Sequence, residues 1–337
     1  MKRSAILLPV LLLAACGGIQ SANGRDGVEG ALIGGLYDLF FWTTLAVYVF
    51  VVAYLGLAIW RGRRHRREMS GLQGEPAHES ERRWHVGLIV FTGATALILA
   101  GLTIATWLTD RAIAQAEQPD ALEIEVTANQ WWWDVRYMDP VPSRIVRTAN
   151  EIHLPVGRTA RITLKSNDVI HSLWVPNLAG KQDLIPGRIV DLVLSPKRTG
   201  AFRAQCAEFC GLQHTNMALD VTVESEADFR RWKAAQLEPA RTPADGEANE
   251  GYALFVSRQC SSCHRVAGTP ANGLVAPDLT HVASRRTIAA GTLPTTHASF
   301  VAWLDDPQAV KPGNHMPEVT LTDPELSAIT AYLETLK

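Results

Sequence analysis

Residues 39–60 (LFFWTTLAVYVFVVAYLGLAIW) hold no charged side chain in 22 positions, and residues 86–108 (VGLIVFTGATALILAGLTIATWL) hold none in 23. As helices, both reach across the ~30 Å hydrocarbon layer of a bilayer, where a helix satisfies its own backbone polar groups. Trp42, Trp60, Trp84 and Trp107 stand near the ends, where interfacial aromatics sit. The connection carries RGRRHRRE and then ERR. By the positive-inside rule that loop is cytoplasmic, and everything after Leu108 lies on the outer face. The reading is two transmembrane helices within residues 30–110.

The N-terminus agrees. MKRSAILLPVLLLAAC has a basic start, a short apolar run and small residues before Cys16. Residues 1–16 are expected to be a secretory signal, too short to span. The ending LAAC resembles a bacterial lipobox, which implies lipidation of Cys16; the alternative is an ordinary signal cleaved nearby. Net charge is −2 with no dominant basic face, so no nucleic-acid partner is expected.

After the spans the pattern changes. LEIEVTA, ARITLKS, RIVDLVLS and ALDVTVES are short, alternating and rich in β-branched residues, with Gly, Pro and Asn between them. Residues 115–228 therefore read as an antiparallel sandwich or Greek-key barrel, closed by a short helix over 226–235. QLEPARTPADGEAN (236–249) reads as a flexible linker. Residues 250–337 read as a small helical unit whose last segment, TDPELSAITAYLETLK, has an N-cap and one apolar face.

Within the β-rich region, CAEFCGLQHTNM (206–217) brings two thiols, an imidazole and a thioether into twelve residues. That donor set suits copper cycling between two oxidation states. Cys206, Cys210, His214 and Met217 are the candidates, and His171, at the start of an upstream extended segment, is one more. A structural disulfide or a thioredoxin-type redox pair would use the cysteines alone. Neither accounts for His214 and Met217.

The run HSLWVPNLAGKQDLIPGR…GAFRAQCAEFCGLQHTNM resembles the copper-A domain of cytochrome c oxidase subunit II, and the two preceding helices match that family in order. The resemblance covers roughly residues 30–230. It implies a cupredoxin-type barrel and a binuclear copper-A centre. Cys206 and Cys210 would bridge two coppers, with His171 and His214 capping one each. Met217 and the backbone carbonyl of Glu208 would be weak ligands. The Glu208 side chain corresponds to the family's ligand for Mg or Mn at the boundary with subunit I. In QWWWDVRY (130–137), Trp131 corresponds to the tryptophan through which electrons arrive, with packing as its alternative, while Trp132 and Trp133 are read as packing against the barrel mouth. This chain departs from the usual pattern at Trp132 and at Asp134-Val135-Arg136. Glu81, in ESERRW, corresponds to a glutamate guarding proton uptake; a solvated surface charge is the alternative.

Cys260-Ser261-Ser262-Cys263-His264 is C-x-x-C-H, the attachment signal for a covalent haem c with His264 as axial ligand. A soft sixth ligand late in the unit points to Met316, with His315 as rival. His281 and His297 are expected at the surface. The unit resembles a class I cytochrome c. The whole chain resembles the oxidase subunits II that carry a fused cytochrome c. That implies an electron relay in a proton-translocating terminal oxidase of a bacterial inner membrane, lying in lipid. Subunit I and subunit III would be partners and a cytochrome c or bc1 complex the donor. An electron-supplying subunit of a nitric-oxide or nitrous-oxide reductase is the alternative. A copper chaperone would want an exchangeable site and no haem. A quinol oxidase subunit lacks the copper ligands.

Overall fold

The computed structural model describes residues 17–68, 78–115 and 120–337. The segment expected to be a signal, with Cys16, lies outside the described residues. Two long helices come first, α1 (Val28–Glu68) and α2 (His78–Ala114). Both extend well beyond the uncharged runs. Their apolar side chains are largely exposed along their length, Leu97 at 76% and Tyr48 at 64%, among the described residues. Arg64 lies over the Trp60 ring and Arg111 over Trp107, pairing a cation with an amphipathic ring at a helix end. Glu81 falls within α2, but its side chain lies outside the described residues.

The next unit is a sandwich of two five-stranded sheets. Its strands are β1 (Leu122–Asn129), β2 (Trp132–Tyr137), β3 (Val146–Ala149), β4 (Glu151–Pro155), β5 (Ala160–Ser166), β6 (His171–Trp174), β7 (Gln182–Leu184), β8 (Val190–Leu194), β9 (Gly200–Cys206) and β10 (Ala218–Glu224). The orders are β3-β2-β1-β5-β8 and β4-β10-β9-β6-β7. Alternation drives the layering: β5 buries Ala160, Ile162 and Leu164 and turns the residues between them outward. The pairing is not all antiparallel. β1 runs parallel to β5, and β10 parallel to β4. The chain changes sheets between β3 and β4 and again before β5, so β5 re-enters beside β1 in the same direction. Helix α3 (Glu226–Leu237) is N-capped by Ser225 and packs Phe229 and Trp232 on Tyr137.

A strap of residues 17–31 lies on this sandwich. Both oxygens of the buried Glu29 carboxylate take hydrogen bonds from Ser195, from its N at 3.0 Å and its Oγ at 2.7 Å. The approach requires Gly27, where an added Cβ would stand 2.2 Å from the carbonyl oxygen of Leu178.

The C-terminal unit holds α4 (Gly246–Ser257), α5 (Cys260–Cys263), a two-stranded ribbon of β11 (Thr287–Ile288) and β12 (Leu293–Pro294), α6 (His297–Asp305), α7 (Pro307–Val310) and α8 (Asp323–Thr335). Thr322 and Glu325 form a capping box at the start of α8. The core is Phe255, Val266, Phe300, Ile329, Tyr332 and Leu333. The linker expected over 236–249 is shorter, because α3 runs to Leu237 and α4 starts at Gly246. What remains is not free: Ala240 N donates to Ala267 O at 2.8 Å, and Ala240 packs on the C-terminal core. His281 corrects another expectation. It is 4% exposed, with Nδ1 3.0 Å from the Lys337 carbonyl, so it binds the segment after the last helix and does not lie at the surface. His297 is exposed as expected.

Candidate metal centres

β9 ends at Cys206 and β10 begins at Ala218, and the turn between them carries the remaining donors. β6, antiparallel to β9, brings in His171 from the adjoining strand end. The thiols of Cys206 and Cys210 are 3.7 Å apart, far beyond the ~2.05 Å of a disulfide. Around them the donors are arranged in pairs. His171 Nδ1 lies 3.9 Å from Cys206 Sγ, and His214 Nδ1 lies 3.6 Å from Cys210 Sγ. Met217 Sδ is 3.9 Å from Cys210 Sγ, and the Glu208 carbonyl oxygen is 3.2 Å from Cys206 Sγ. His171, Cys206, Cys210 and Met217 are buried, while the Glu208 side chain is exposed.

Electrostatics favour the anionic form a metal needs. The adjacent Cys210 thiol, with the His171 imidazole, holds Cys206 far below the ordinary thiol range against the effect of burial. The same sharing of a proton pushes Cys210 up. Two sulfurs, two Nδ1 atoms, a thioether and a carbonyl converging on one largely buried point fit copper.

Sequence reading missed the groups behind these ligands. Asp168 Oδ1 holds His171 Nε2 at 2.8 Å, which directs Nδ1 inward. Trp131 Nε1 and Gln130 Nε2 both donate to the Cys210 carbonyl, at 2.9 and 2.8 Å. Gly211, at φ +109°, lets the Trp131 ring lie against the loop: a Cβ there would be 3.0 Å from Trp131 Cζ2. Trp133 is fully buried, with its ring edge-on to His171 at 6.1 Å. Asp134 is buried between Arg136 and Arg147. An aspartate three before a histidine carries no spacing signal that separates support from surface charge.

In the C-terminal unit, Cys260 and Cys263 are free thiols on one short helical turn. His264 follows, with Nδ1 2.8 Å from the Pro277 carbonyl. Nδ1–H donates there, leaving the Nε2 lone pair for iron. Burial, against that hydrogen bond, pushes the imidazole's pKa down, which keeps it neutral. Met316 is half-buried and packs on the core, its N taken by Asn314 Oδ1 at 2.8 Å. These residues fit a covalent haem. His315 faces elsewhere: its ring lies 5.6 Å from that of Trp131.

A family profile described as Cytochrome C oxidase subunit II, periplasmic domain, matches residues 122–225, and one described as Cytochrome c matches residues 248–337. The chain is similar to cytochrome c oxidase subunit 2 of Alkalihalophilus pseudofirmus, 28% identical over 353 residues, which covers 100% of this chain and 98% of that protein. It is similar to cytochrome c oxidase subunit 2 of Bacillus sp. strain PS3, 31% identical over 295 residues, covering 82% of this chain and 80% of that one. Among solved structures, the periplasmic domain of cytochrome oxidase subunit II of Bradyrhizobium japonicum is 29% identical, covering 35% of this chain and 95% of its own, with a TM-score of 0.33.

Proposed function

The chain belongs to the cytochrome c oxidase subunit II family, and from that premise we propose that it relays electrons from a cytochrome c or bc1-type donor, through its own haem c and a binuclear copper-A centre, to oxygen-reducing subunit I. Membership makes it an electron-transfer subunit of a haem-copper oxidase complex, held in the membrane by its two apolar helices and carrying a periplasmic domain.

One observation carries the finer reading: each imidazole Nδ1 stands beside one of two unbonded thiols, in a pocket closed by Met217 and the Glu208 carbonyl. Copper bound there would supply one-electron exchange. Cys206 and Cys210 would hold the copper pair together, His171 and His214 would each hold one side of it, and Met217 and the Glu208 carbonyl would be weaker donors. Asp168 fixes the His171 ring, and the stiff β9–β10 frame keeps the ligands from rearranging. Cys260 and Cys263 would tether a haem, and His264 and Met316 would hold its iron. The exposed carboxylate of Glu208 is free to serve a Mg or Mn ion shared with subunit I. We place the complex in a bacterial inner membrane with subunit III and lipid alongside, coupled to proton translocation, and assign Glu81 to proton uptake. The nearly full-length match to an oxidase subunit favours this over a nitric-oxide or nitrous-oxide reductase.

Metal and haem analysis of the purified complex tests the reading. The chain should hold about two coppers and one covalent haem, and Cys210→Ser should lose the copper while keeping the haem. One copper or none in the parent chain would overturn it. Unchanged proton yield in Glu81→Ala would remove that residue's role.

A further inference from the structure

The C-terminal unit is seated on the copper loop, and the fastening is one buried lysine. Lys311 is 3% exposed. Its Nζ lies 3.0 Å from the Trp131 carbonyl, 2.9 Å from the Asn216 carbonyl and 3.2 Å from the Ala289 carbonyl. An ammonium has three donors, and three carbonyl oxygens receive them. Two belong to segments flanking the copper ligands and the third to the haem unit. Its three hydrogen bonds all go to backbone carbonyls, and the charge nearest it in effect is that of the Cys210 thiol, which offsets part of the cost of burial. A buried charge is costly, and the arrangement persists because all three bonds are made at once.

Around this point the contact is continuous. Gln213 Nε2 donates to the Pro312 carbonyl at 2.7 Å, Ala218 N to the Ala290 carbonyl at 3.0 Å, and Arg203 Nη1 to the Gly291 carbonyl at 3.1 Å. Thr287 Oγ1 reaches Asp220 Oδ2 at 2.5 Å. Ala289 and Ala290, both at positive φ, turn their carbonyls outward to meet these donors. Lys311 and His315 lie on one loop. Fixing the lysine therefore fixes His315 against the ring of Trp131, whose Nε1 is bonded to the carbonyl of Cys210.

We propose that Lys311 is a positioning residue that bolts the haem unit onto the copper loop, making the His315–Trp131 ring pair the crossing between the two centres. The inference rests on the relay reading above. It explains why Trp131 is only 7% exposed: the face where a soluble donor would dock is already taken by the chain's own haem unit.

The test uses the full chain in its membrane complex. Lys311→Met keeps the stem and removes the donors; Lys311→Arg returns some of them. Hydrogen exchange of the Ala218 amide reports the seating, and flash reduction of the haem reports transfer to copper. In Lys311→Met, exchange at Ala218 should rise, and transfer should slow on the order of tenfold or more and become sensitive to viscosity. Copper reduced directly by a photoexcited external complex should pass electrons on at the parental rate, with both absorption spectra unchanged. Lys311→Arg should recover part of the loss. Parental exchange and transfer in Lys311→Met, with both centres loaded, would overturn the proposal and leave the relay intact; a missing centre in the parent would overturn the relay itself. If Lys311→Met does not assemble, the unaltered chain decides. Its Ala218 amide should be protected as strongly as the core Val221 amide, and fast exchange there would overturn the seated arrangement.

Discussion

Asp168 grips the outer nitrogen of His171: Oδ1 lies 2.8 Å from Nε2, while Oδ2 accepts the backbone N–H of Gln130 at 2.6 Å. One carboxylate thus joins a copper-ligand candidate to the segment that presents Trp131. Asp168→Asn weakens the acceptor without emptying the space. It should lower copper affinity by about 10–100-fold, read by copper retention against a graded chelator, while haem content stays at the parental level.

Met217 is fully buried in the sandwich core as well as adjacent to Cys210. Met217→Leu conserves volume and should cost under about 1.5 kcal/mol in a thermal melt. Loss of the thioether should nonetheless shift the reduction potential of the copper, measured by redox titration. An unchanged potential would show that this sulfur packs and does not ligate.

His153 lies between two carboxylates, with Nδ1 2.9 Å from Glu224 and Nε2 3.6 Å from Glu151, and stacks on Trp232 at 4.1 Å. Burial alone would lower its pKa, but hydrogen bonds to Glu151 and Glu224, with their charges, raise it to about 9. A base raised on folding adds stability that is complete below its unfolded value of 6.5 and lost as pH rises through about 9. The melting temperature should therefore fall between about pH 6.5 and pH 10, by something on the order of 3 °C. His153→Gln should flatten that slope.

The N-terminal strap makes a sharper prediction. Glu29→Ala leaves the buried Ser195 N–H without its acceptor and should cost about 2 kcal/mol. Gly27→Ala should do at least as much, because the new methyl would meet the Leu178 carbonyl oxygen. Protease sensitivity within residues 17–31 of the intact complex checks both.

The spans, the β-rich unit and the C-x-x-C-H unit were legible because each has its own period: unbroken apolar runs, alternation, and fixed cysteine spacing. Cys206, Cys210, His214 and Met217 could be read from one loop, and His171 became persuasive only with a resemblance to place it. Asp168, Gln130 and Lys311 were invisible for a common reason. Their partners lie 3, 80 and up to 180 residues away, and their chemistry resides in backbone carbonyls and ring nitrogens that composition does not register. The parallel strand pairs were missed because alternation tells which face a residue takes but not the direction of its neighbour. His281 was misread because the carbonyl that holds it, that of Lys337, lies 56 residues away and leaves no local mark of burial.

The cytochrome-like unit is completed by its final helix. α8 crosses α4 at Gly251, where even a methyl group would stand 1.9 Å from the Ala328 carbonyl oxygen, and Tyr332 fills the space between Tyr252 and Phe255. A variant lacking α8 would thus keep its thiols for tetrapyrrole attachment but have no floor behind them, and covalent loading of the pigment should fail.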